Sequence, residues 1–510
     1  MSTLDHSASL AGKQDKSVLA NRLVLMVLLA NSCLAIVHVY RLLAYHVQAT
    51  PWEEAIFLSA TRFPTITQIY SLSNLQHPPY WISIYSPLYY AIVRGVTEAT
   101  GSTMAVGRYL STAGVIVVLA ALFRPIRQQR FWSPSSFFPP LLFLSIFPTL
   151  CWSGSYFKPE FVAMPFSLLA FLSYVGKGLS SQRSWVLRTA ALAATALLFK
   201  LTALGVLIGI SGHLLWDKRY KDAIRVTACA VAIVLLVYAF LEVWMGSGIW
   251  TMGISGNAFR LSPHVIVDYL FNKYLANVLV LIAVVGCLSL LAGSGGKRSV
   301  ESAIAFYFLA SFAFFAFACG KPGSSHNYFV ESAIGLALVV PAALHSLYLR
   351  REIQAYYMFA ALLILALALN LKGLLGIIRW SSASIDHHAV QKTLSAQRIP
   401  SGTYVMADAH YVMDVVKSGH EPLINDNLLY SLMVINRKIP QGQVMEALTH
   451  KQVSYVLLAH PVTHYAPLQG QWWPPEVISY VEQNYTCQAI MGDEGDAAAV
   501  GCVPKAAAQP

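Results

Sequence analysis

Two adjacent carboxylates, Glu53 and Glu54, come directly after an apolar run that is long enough to cross a bilayer. Charged residues make up only 12% of the chain, so an acidic pair at a membrane exit requires an explanation. A carboxylate in this place can act as a general base on a hydroxyl group, and two carboxylates can hold a divalent cation. The stretch "TPWEEA" also matches a helix start, with Thr50 as the cap and acids in the first turn, so a purely structural role stays open.

More ionisable side chains lie in loops that the pattern of apolar runs places on the same side of the membrane. They are Lys158, Glu160, Lys200, Arg260, His264, Lys321, His326 and Glu331. Ionisable groups at membrane depth are costly to bury and usually face a cavity or a partner, so we expect one shared polar cavity at the outer face. Cations there would bind a phosphate, and an apolar groove beside them would accept a lipid chain, which points to a lipid-linked substrate. Two simpler roles stay open, because Glu160 can pair with Lys158 and Lys200 can extend towards the lipid headgroups.

The whole chain has the composition of a polytopic membrane protein. Of its 510 residues, 56% are hydrophobic, the mean hydropathy is +0.54, and long uncharged runs recur. About eleven of these runs are predicted to be transmembrane helices, over residues 22–45, 104–123, 136–152, 161–175, 185–199, 201–216, 222–245, 271–292, 301–319, 329–349 and 355–378. The first run is too long for a signal-peptide core and lacks a small-residue cleavage site, so we expect it to be retained.

The distribution of lysine and arginine predicts the orientation of these helices. Five basic loops fall on one side of the membrane together with the N-terminus, and that side is the cytoplasm by the positive-inside rule. The segment 86–101 contains Arg94 and Glu98, and we assign it to an amphipathic helix on the outer face rather than to a span. The predicted divisions are a cytoplasmic tail (1–21) whose first 17 residues are expected to be disordered, a transmembrane domain (22–379) with a first periplasmic loop (46–103), and a periplasmic α/β domain (380–510).

The segment after residue 380 has the pattern of a small α/β domain. "GTYVMAD" and "VSYVLLA" are short apolar runs bounded by turns, as expected of strands, and helical stretches alternate with them. "YTCQAIM" and "AAAVGCVP" predict two further strands joined by the turn "GDEGD". This turn would bring Cys487 and Cys502 together for a disulfide, which an oxidising periplasm permits. The other five cysteines lie in or beside apolar runs, and no cysteine–histidine pattern indicates zinc.

The net charge of +11 does not indicate a nucleic acid partner. The basic residues cluster in short loops between the predicted spans, where they determine topology. The sequence has no basic stretch interleaved with aromatic residues of the kind that follows a nucleic acid backbone, and no glycine-rich nucleotide-binding loop. The partner that the composition indicates is therefore a lipid bilayer.

Several short segments, taken in order, resemble the GT-C superfamily of polyprenol-phosphate-sugar-dependent glycosyltransferases, which includes the protein O-mannosyltransferases and the lipid A aminoarabinose transferase. The segments are "WEEA" (52–55), "YSPLYYAIV" (85–93), "GRYLSTAGVIVVLAALF" (107–123), "FKPEFVAMPFSLLAF" (157–171), "LFKLTALG" (198–205) and "GSSHNYFVE" (323–331). The resemblance covers nearly the whole chain in layout, and bacterial integral-membrane transferases of the RgtA/B/C/D type are the most similar group. The acidic pair is Glu-Glu where the family has Asp-Glu, so the carboxyl group reaches one methylene further.

The resemblance implies a polytopic α-helical membrane protein of the GT-C type, with a small C-terminal α/β periplasmic domain, in a bacterial inner membrane. It implies a hexosyl or pentosyl transferase that moves a sugar from a polyprenyl phosphate to a hydroxyl group of a glycan, lipid or protein acceptor, with inversion. Glu53 is then the expected general base and Glu54 its assistant. The expected substrate-binding residues are Tyr85, Arg108, Lys158, Glu160, Lys200, His326, Asn327 and Tyr328. No cofactor follows with certainty, and a divalent metal remains possible.

Two other functions fit the same spans and charges. A transporter or lipid flippase would also need a polar cavity, but such proteins usually carry charges near the bilayer midplane and have paired broken helices. Here the charges fall at the outer edge, and the two halves of the sequence do not mirror each other. A polymerase or ligase of surface polysaccharide shares the lipid-linked chemistry and stays open, as do the identities of the sugar and the acceptor.

Overall fold

The computed structural model describes a bundle of apolar helices that carries a small mixed sheet near the C-terminus. The described residues are 2–44, 51–101, 105–128, 137–150, 157–178, 184–246, 248–254, 261–275, 277–293, 299–321, 326–350, 352–380, 386–440, 442–465, 472–493 and 496–505.

Twenty α-helices are described. In chain order they are α1 (Ser2–Ala44), α2 (Pro51–Thr61), α3 (Ser73–Gln76), α4 (Pro87–Thr100), α5 (Ala105–Gln128), α6 (Phe138–Leu150), α7 (Pro159–Ser173), α8 (Trp185–Phe199), α9 (Gly205–Trp216), α10 (Tyr220–Met245), α11 (Pro263–Val267), α12 (Val278–Gly293), α13 (Val300–Ala318), α14 (Val330–Leu349), α15 (Ile353–Trp380), α16 (His387–Ala396), α17 (Val412–Lys417), α18 (Asn427–Ile435), α19 (Gln443–Thr449) and α20 (Pro475–Asn484).

Eleven of these helices coincide with the eleven apolar runs of the sequence. Among the described residues, seven helices are long and apolar enough to cross a membrane, namely α1, α5, α7, α10, α13, α14 and α15. The other four, α6, α8, α9 and α12, are shorter apolar helices of 10–17 residues. The polytopic helical architecture predicted from the sequence is therefore confirmed, whereas the number of spans and their orientation stay predictions.

Helix α1 begins at Ser2, so the expectation of a disordered N-terminal segment was wrong. The segment 2–17 contains one glycine and no proline, and its alanine, leucine, lysine and glutamine residues favour helix. The apolar part of α1 provides the helical nucleus. The helix can then extend towards the N-terminus without the free-energy cost of a second nucleation. Polarity alone therefore did not predict disorder in this segment.

The loop between α1 and α5 is largely helical. α2 begins at Pro51, and the segment that was predicted to be an amphipathic helix forms α4. Pro87 is the first residue of α4, and the helix ends at Gly101, whose φ of 61° lies in the left-handed region that glycine adopts without strain. Tyr89 and Val93 lie on its buried face. Helix α4 therefore packs one apolar face against the rest of the protein.

The C-terminal region contains a four-stranded sheet in the order β1-β2-β4-β3. Its strands are β1 (Tyr404–Ala407), β2 (Val453–Leu458), β3 (Tyr485–Met491) and β4 (Ala497–Pro504). β1 and β2 are parallel, whereas β4 is antiparallel to both β2 and β3. Cys487 and Cys502 are direct partners across β3 and β4 and form a disulfide. All four strands were predicted from the sequence, while the side of the membrane on which they lie stays a prediction.

One hydrophobic core joins the first loop, the adjoining ends of the transmembrane helices and the C-terminal region. It includes Ile56 and Tyr70 from the loop, Phe199 at the end of α8, and Ile424 and Leu429 from the C-terminal region. A second and larger core fills the helix bundle. The C-terminal region thus packs directly on the elements that surround the candidate site.

Candidate active site

Three lysines from different connections converge on one cavity. Lys158 precedes α7, Lys200 lies between α8 and α9, and Lys321 follows α13. The cavity has an empty volume of about 760 Å³. Its lining residues are Ala55, Ile56, Ser59, Ile82, Ile84, Tyr85, Tyr90, Lys158, Lys200, Lys321, Asn327, Tyr328, Asp426, Leu428, Leu429 and Leu432. The cavity therefore combines a cationic wall with an apolar one, which are the two surfaces that a lipid phosphate requires.

Tyr85 lies between two of these lysines. Lys158 Nζ is 3.3 Å from the Tyr85 hydroxyl oxygen. Lys200 Nζ lies 4.8 Å from the centre of the Tyr85 ring and 5.1 Å from the centre of the Tyr328 ring, where cation–π attraction stabilises it. Burial raises the pKa of Tyr85 well above its ordinary value, so the phenol remains protonated and can donate a hydrogen bond.

Glu160 is the ion-pair partner of Lys200. Its Oε1 lies 3.0 Å from Lys200 Nζ and also accepts a hydrogen bond from Asn327 Nδ2. The sequence left open a pair of Glu160 with Lys158, and the structure gives Glu160 an ion pair with Lys200. The contact orders two cavity residues, Lys200 and Asn327, through a single buried carboxylate.

A second cavity adjoins the first and shares Lys200, Asn327 and Tyr328 with it. Its empty volume is about 400 Å³, and its walls come from α7, α13 and α14 together with the connection before α9. Glu331 also lines it and accepts a hydrogen bond from the Gly205 backbone N–H at 2.9 Å. Lys200 therefore lies between two neighbouring cavities.

Burial and neighbouring charges act differently on the three lysines. Burial, followed by the charge of Lys200, lowers the pKa of Lys321 to about 7. Burial also lowers the pKa of Lys158. Burial acts in the same direction on Lys200, but Glu160 and the neighbouring tyrosines outweigh it and raise its pKa. An anion in the cavity would favour the charged form of all three side chains.

The C-terminal region contributes one carboxylate, Asp426, to the same cavity. Asp426 is the residue before α18, and its Oδ1 accepts a hydrogen bond from the Leu429 backbone N–H at 2.9 Å as a helix cap. Burial raises the pKa of Asp426 to about 6, although the Leu429 N–H and Lys158 oppose this rise. Among the described residues that line the larger cavity, Asp426 is the only acidic one.

Glu53 lies outside the lining of both cavities, in a buried pair with Arg108. Arg108 Nη2 lies 2.6 Å from Glu53 Oε2, and Arg108 Nε lies 3.2 Å from Oε1, so the two planar groups face each other. Arg108 Nη1 also donates to the Leu42 carbonyl oxygen at the end of α1. The pair therefore ties α2, α5 and α1 together, and both oxygens of the predicted base are engaged.

Glu54 points to the C-terminal region rather than to either cavity. Its Oε2 accepts a hydrogen bond from the Met413 backbone N–H at 3.1 Å, at the start of α17. Burial, followed by the charge of Asp414, raises the pKa of Glu54 well above its ordinary value. Glu54 thus connects the first loop to the C-terminal region.

The structure brings most of the predicted substrate-binding residues together. Tyr85, Lys158, Lys200, Asn327 and Tyr328 line the larger cavity, and Glu160 contacts two of them. Arg108 and the two predicted catalytic acids lie apart from this lining, so their roles in catalysis stay predictions. His326 belongs to a short 3-10 helix (His326–Phe329), but its side chain lies outside the described atoms.

Sequence analysis missed Asp426 as a site residue. A short signal was present, because an aspartate followed by "NLLYSL" is typical of a helix cap. The capping pattern predicts the start of α18 but not its position over a cavity.

The described part of the chain shows no binding site for a metal ion. There, no group of three or more histidine, cysteine, aspartate or glutamate side chains could hold one. Three lysines and one carboxylate line the larger cavity, and this donor set suits an anion rather than a divalent cation.

Two crystal structures have a similar fold over nearly the whole chain. ArnT from Cupriavidus metallidurans bound to undecaprenyl phosphate is 11% identical, with a TM-score of 0.56, and the match covers 97% of this chain and 99% of that one. The apo state of the same protein has the same identity and TM-score, with 98% and 99% covered. No protein-family model matches the sequence. No curated protein matches it either.

The comparison confirms the fold that the resemblance implied. The chain shares the architecture of ArnT over nearly its whole length. At 11% identity, the match supports a common fold but does not transfer the role of any single residue. The function must therefore be argued from the cavity itself.

Proposed function

We propose that the protein is a membrane glycosyltransferase that takes a sugar from a polyprenyl phosphate and transfers it to an acceptor hydroxyl group. The observation that carries this proposal is the convergence of Lys158, Lys200 and Lys321 on one partly apolar cavity. The undecaprenyl phosphate bound to ArnT, a protein of similar fold, supports the same class of donor. In this proposal the transferred sugar is a hexose or a pentose, and the acceptor is a glycan, a lipid or a protein.

The lysine cavity suits the leaving group of such a reaction. When the bond between the anomeric carbon and the phosphate oxygen breaks, the lipid phosphate gains a negative charge. Lysine ammonium groups that are already in place stabilise this charge without reorganisation, and a neutral Tyr85 phenol adds a hydrogen-bond donor. The apolar wall that the lipid chain would contact includes Leu428, Leu429 and Leu432.

The proposed reaction is a direct displacement with inversion. The acceptor oxygen attacks the anomeric carbon as a carboxylate removes its proton, and the polyprenyl phosphate leaves. The sequence resemblance proposes Glu53, with the help of Glu54, as this base, whereas Arg108 engages both carboxylate oxygens of Glu53 in the structure. A polymerase or ligase of surface polysaccharide would use the same lipid-linked donor chemistry.

We also propose that the protein resides in a bacterial inner membrane, with the cavity and the C-terminal region on the periplasmic side. The basic loops of the sequence support this orientation. A reporter fused after Pro510 should be active only in the periplasm. A cytoplasmic signal from that fusion would overturn the orientation.

The function is tested by deleting the gene and analysing the membrane lipids by mass spectrometry. We expect a polyprenyl-phosphate sugar to accumulate and one class of surface glycan, lipid or protein to lack that sugar. Complementation with the wild-type gene should reverse both changes. If lipid-linked sugars keep their normal levels in the deletion strain, the proposal is wrong.

A further inference from the structure

The C-terminal region places a single acidic side chain into a cavity that is otherwise built by the first loop and the helix ends. Asp426 is 5% exposed and lines the larger cavity together with Lys158 and Lys200. Its Oδ1 accepts a hydrogen bond from the Leu429 backbone N–H, and the Leu428 backbone N–H also contacts the carboxylate. An ionised carboxylate has about four acceptor positions, so it can still accept a hydrogen bond from a bound molecule. The carboxylate is therefore held on a rigid helix start rather than on a loose loop.

The residue before Asp426 anchors it to the first loop. Asn425 Oδ1 accepts a hydrogen bond from the Ile82 backbone N–H at 2.9 Å, and Asn425 Nδ2 donates to the Ile82 carbonyl oxygen at 3.0 Å. Tyr80 adds a backbone hydrogen bond to the Leu423 carbonyl oxygen at 2.8 Å. Ile82 itself lines the cavity, so this clamp fixes Asp426 relative to the cavity wall.

Resting on the proposed function, we propose that Asp426 is the general base that takes the proton of the acceptor hydroxyl group. The acceptor oxygen loses its proton to Asp426 Oδ2 and forms a bond to the anomeric carbon. The bond from that carbon to the phosphate oxygen breaks, and its electron pair leaves with the polyprenyl phosphate. The protonated Asp426 then releases its proton to water.

Two observations favour Asp426 over the acidic pair of the first loop. Glu53 has both carboxylate oxygens on Arg108, and Glu54 accepts from the Met413 N–H, whereas Asp426 faces the lysine cavity. Burial raises the pKa of Asp426 to about 6, which makes it a stronger base than an ordinary aspartate and leaves it ionised at neutral pH. The C-terminal region would then complete the active site.

The test uses Asp426→Asn, because asparagine caps a helix as well as aspartate does and removes only the basicity. A matched control is Asp386→Asn, since Asp386 caps α16 in the same region through the Ala389 N–H at 3.0 Å and does not line either cavity. Purified full-length variants are added to membranes of the deletion strain, and loss of the accumulated lipid-linked sugar is followed by mass spectrometry. Binding of undecaprenyl phosphate is measured on the same samples.

We expect Asp426→Asn to slow transfer by about 10²–10⁴-fold while it still binds undecaprenyl phosphate, and Asp386→Asn to match the wild type. Asp426→Glu should recover part of the rate and shift the acidic limb of the pH profile. If Asp426→Asn transfers at the wild-type rate, or if it loses only affinity for undecaprenyl phosphate, Asp426 is not the base. If the wild type itself consumes no lipid-linked sugar, the proposed function fails and the assignment fails with it.

Discussion

Arg108 and Glu53 form a two-point ion pair in the interior of the protein, with the Nη2–Oε2 distance at 2.6 Å. The side chains are 1% and 0% exposed, so water screens neither charge. The two charges attract each other strongly in such a place. Removal of one of them leaves the other buried without a counter-ion, which strongly destabilises the folded protein. The acidic pair of the first loop therefore has a structural partner that its sequence position did not reveal.

The first prediction is that Glu53→Gln lowers the stability of the protein. The variant leaves the buried Arg108 guanidinium without an anion, which costs about 3–5 kcal/mol. The matched control is Glu98→Gln, whose partner Arg94 lies 2.7 Å away on a more exposed surface, where such pairs contribute about 1 kcal/mol or less. Thermal unfolding of detergent-solubilised protein measures both. A Glu53→Gln protein that is as stable as the wild type but inactive would instead support Glu53 as the base.

A second prediction concerns Glu54 and pH. Burial, followed by the charge of Asp414, raises its pKa above the ordinary value of 4.5, so the folded protein holds a proton that the unfolded chain releases. Glu54 thus contributes stability at low pH that is lost as the pH rises from about 4.5 through the raised pKa. Glu54→Gln should therefore be more stable than the wild type at pH 8, with a smaller difference at pH 5. Melting temperatures that stay parallel at both pH values would contradict this account.

The third prediction separates the roles of Lys200 in binding and in folding. Lys200→Met should weaken undecaprenyl phosphate binding by about 10-fold or more, because a charge-assisted contact is lost. The substitution also removes the counter-ion of the buried Glu160 carboxylate, whose Oε1 lies 3.0 Å from Lys200 Nζ. The double variant Lys200→Met, Glu160→Gln should regain stability without regaining affinity. Recovery of affinity in the double variant would show that Lys200 acts only as the counter-ion of Glu160.

A fourth prediction follows from the pKa of Lys321, which burial and the charge of Lys200 lower to about 7. Above pH 7 the Lys321 amine of the free protein is mostly neutral. Because binding of a phosphate then requires Lys321 to take up a proton, the affinity for undecaprenyl phosphate should fall by up to about tenfold per pH unit. The other titratable groups that line this cavity are Lys158, Lys200, Asp426, Tyr85, Tyr90 and Tyr328, and Glu160 contacts Lys200 beside it. Lys321→Arg keeps its charge and should show a flatter profile. Since the titration of the ligand is common to both proteins, identical profiles would refute the role of Lys321.

The fifth prediction concerns the Cys487–Cys502 disulfide, which closes a loop with a sequence separation of 15 residues. Constraint of a loop of this length contributes about 3 kcal/mol, so Cys502→Ser should make the C-terminal region more sensitive to limited proteolysis. Cys33→Ser, at an exposed free cysteine, is the control. Free thiols at both positions in protein taken directly from cells would contradict a periplasmic location.

Local patterns predicted the elements well, because they depend on short stretches of sequence. The eleven apolar helices follow from runs of uncharged residues, and β1 to β4 follow from short apolar runs bounded by turns. Lys158 and Lys200 could be assigned to one cavity because both lie at helix ends that the topology places on the same face.

Long-range contacts could not be predicted in the same way. Asp426 lies at the cavity next to Asn425, which binds Ile82 from a position 343 residues away in sequence. Similarly, Glu53 and Arg108 both belonged to segments singled out in the sequence, but nothing in either segment indicated that they pair with each other. The periodicity of a single segment does not encode such contacts, so the place of Asp426 in the cavity could not be predicted from the sequence.

The most direct test of the central claim compares two lipids that differ only in the phosphate group. Purified wild-type protein should bind undecaprenyl phosphate much more tightly than undecaprenol, because Lys158, Lys200 and Lys321 converge on one cavity. Lys321→Met should reduce this preference, and Lys392→Met, at an exposed lysine of α16, should leave it unchanged. Equal affinity of the wild-type protein for the two lipids would contradict the account.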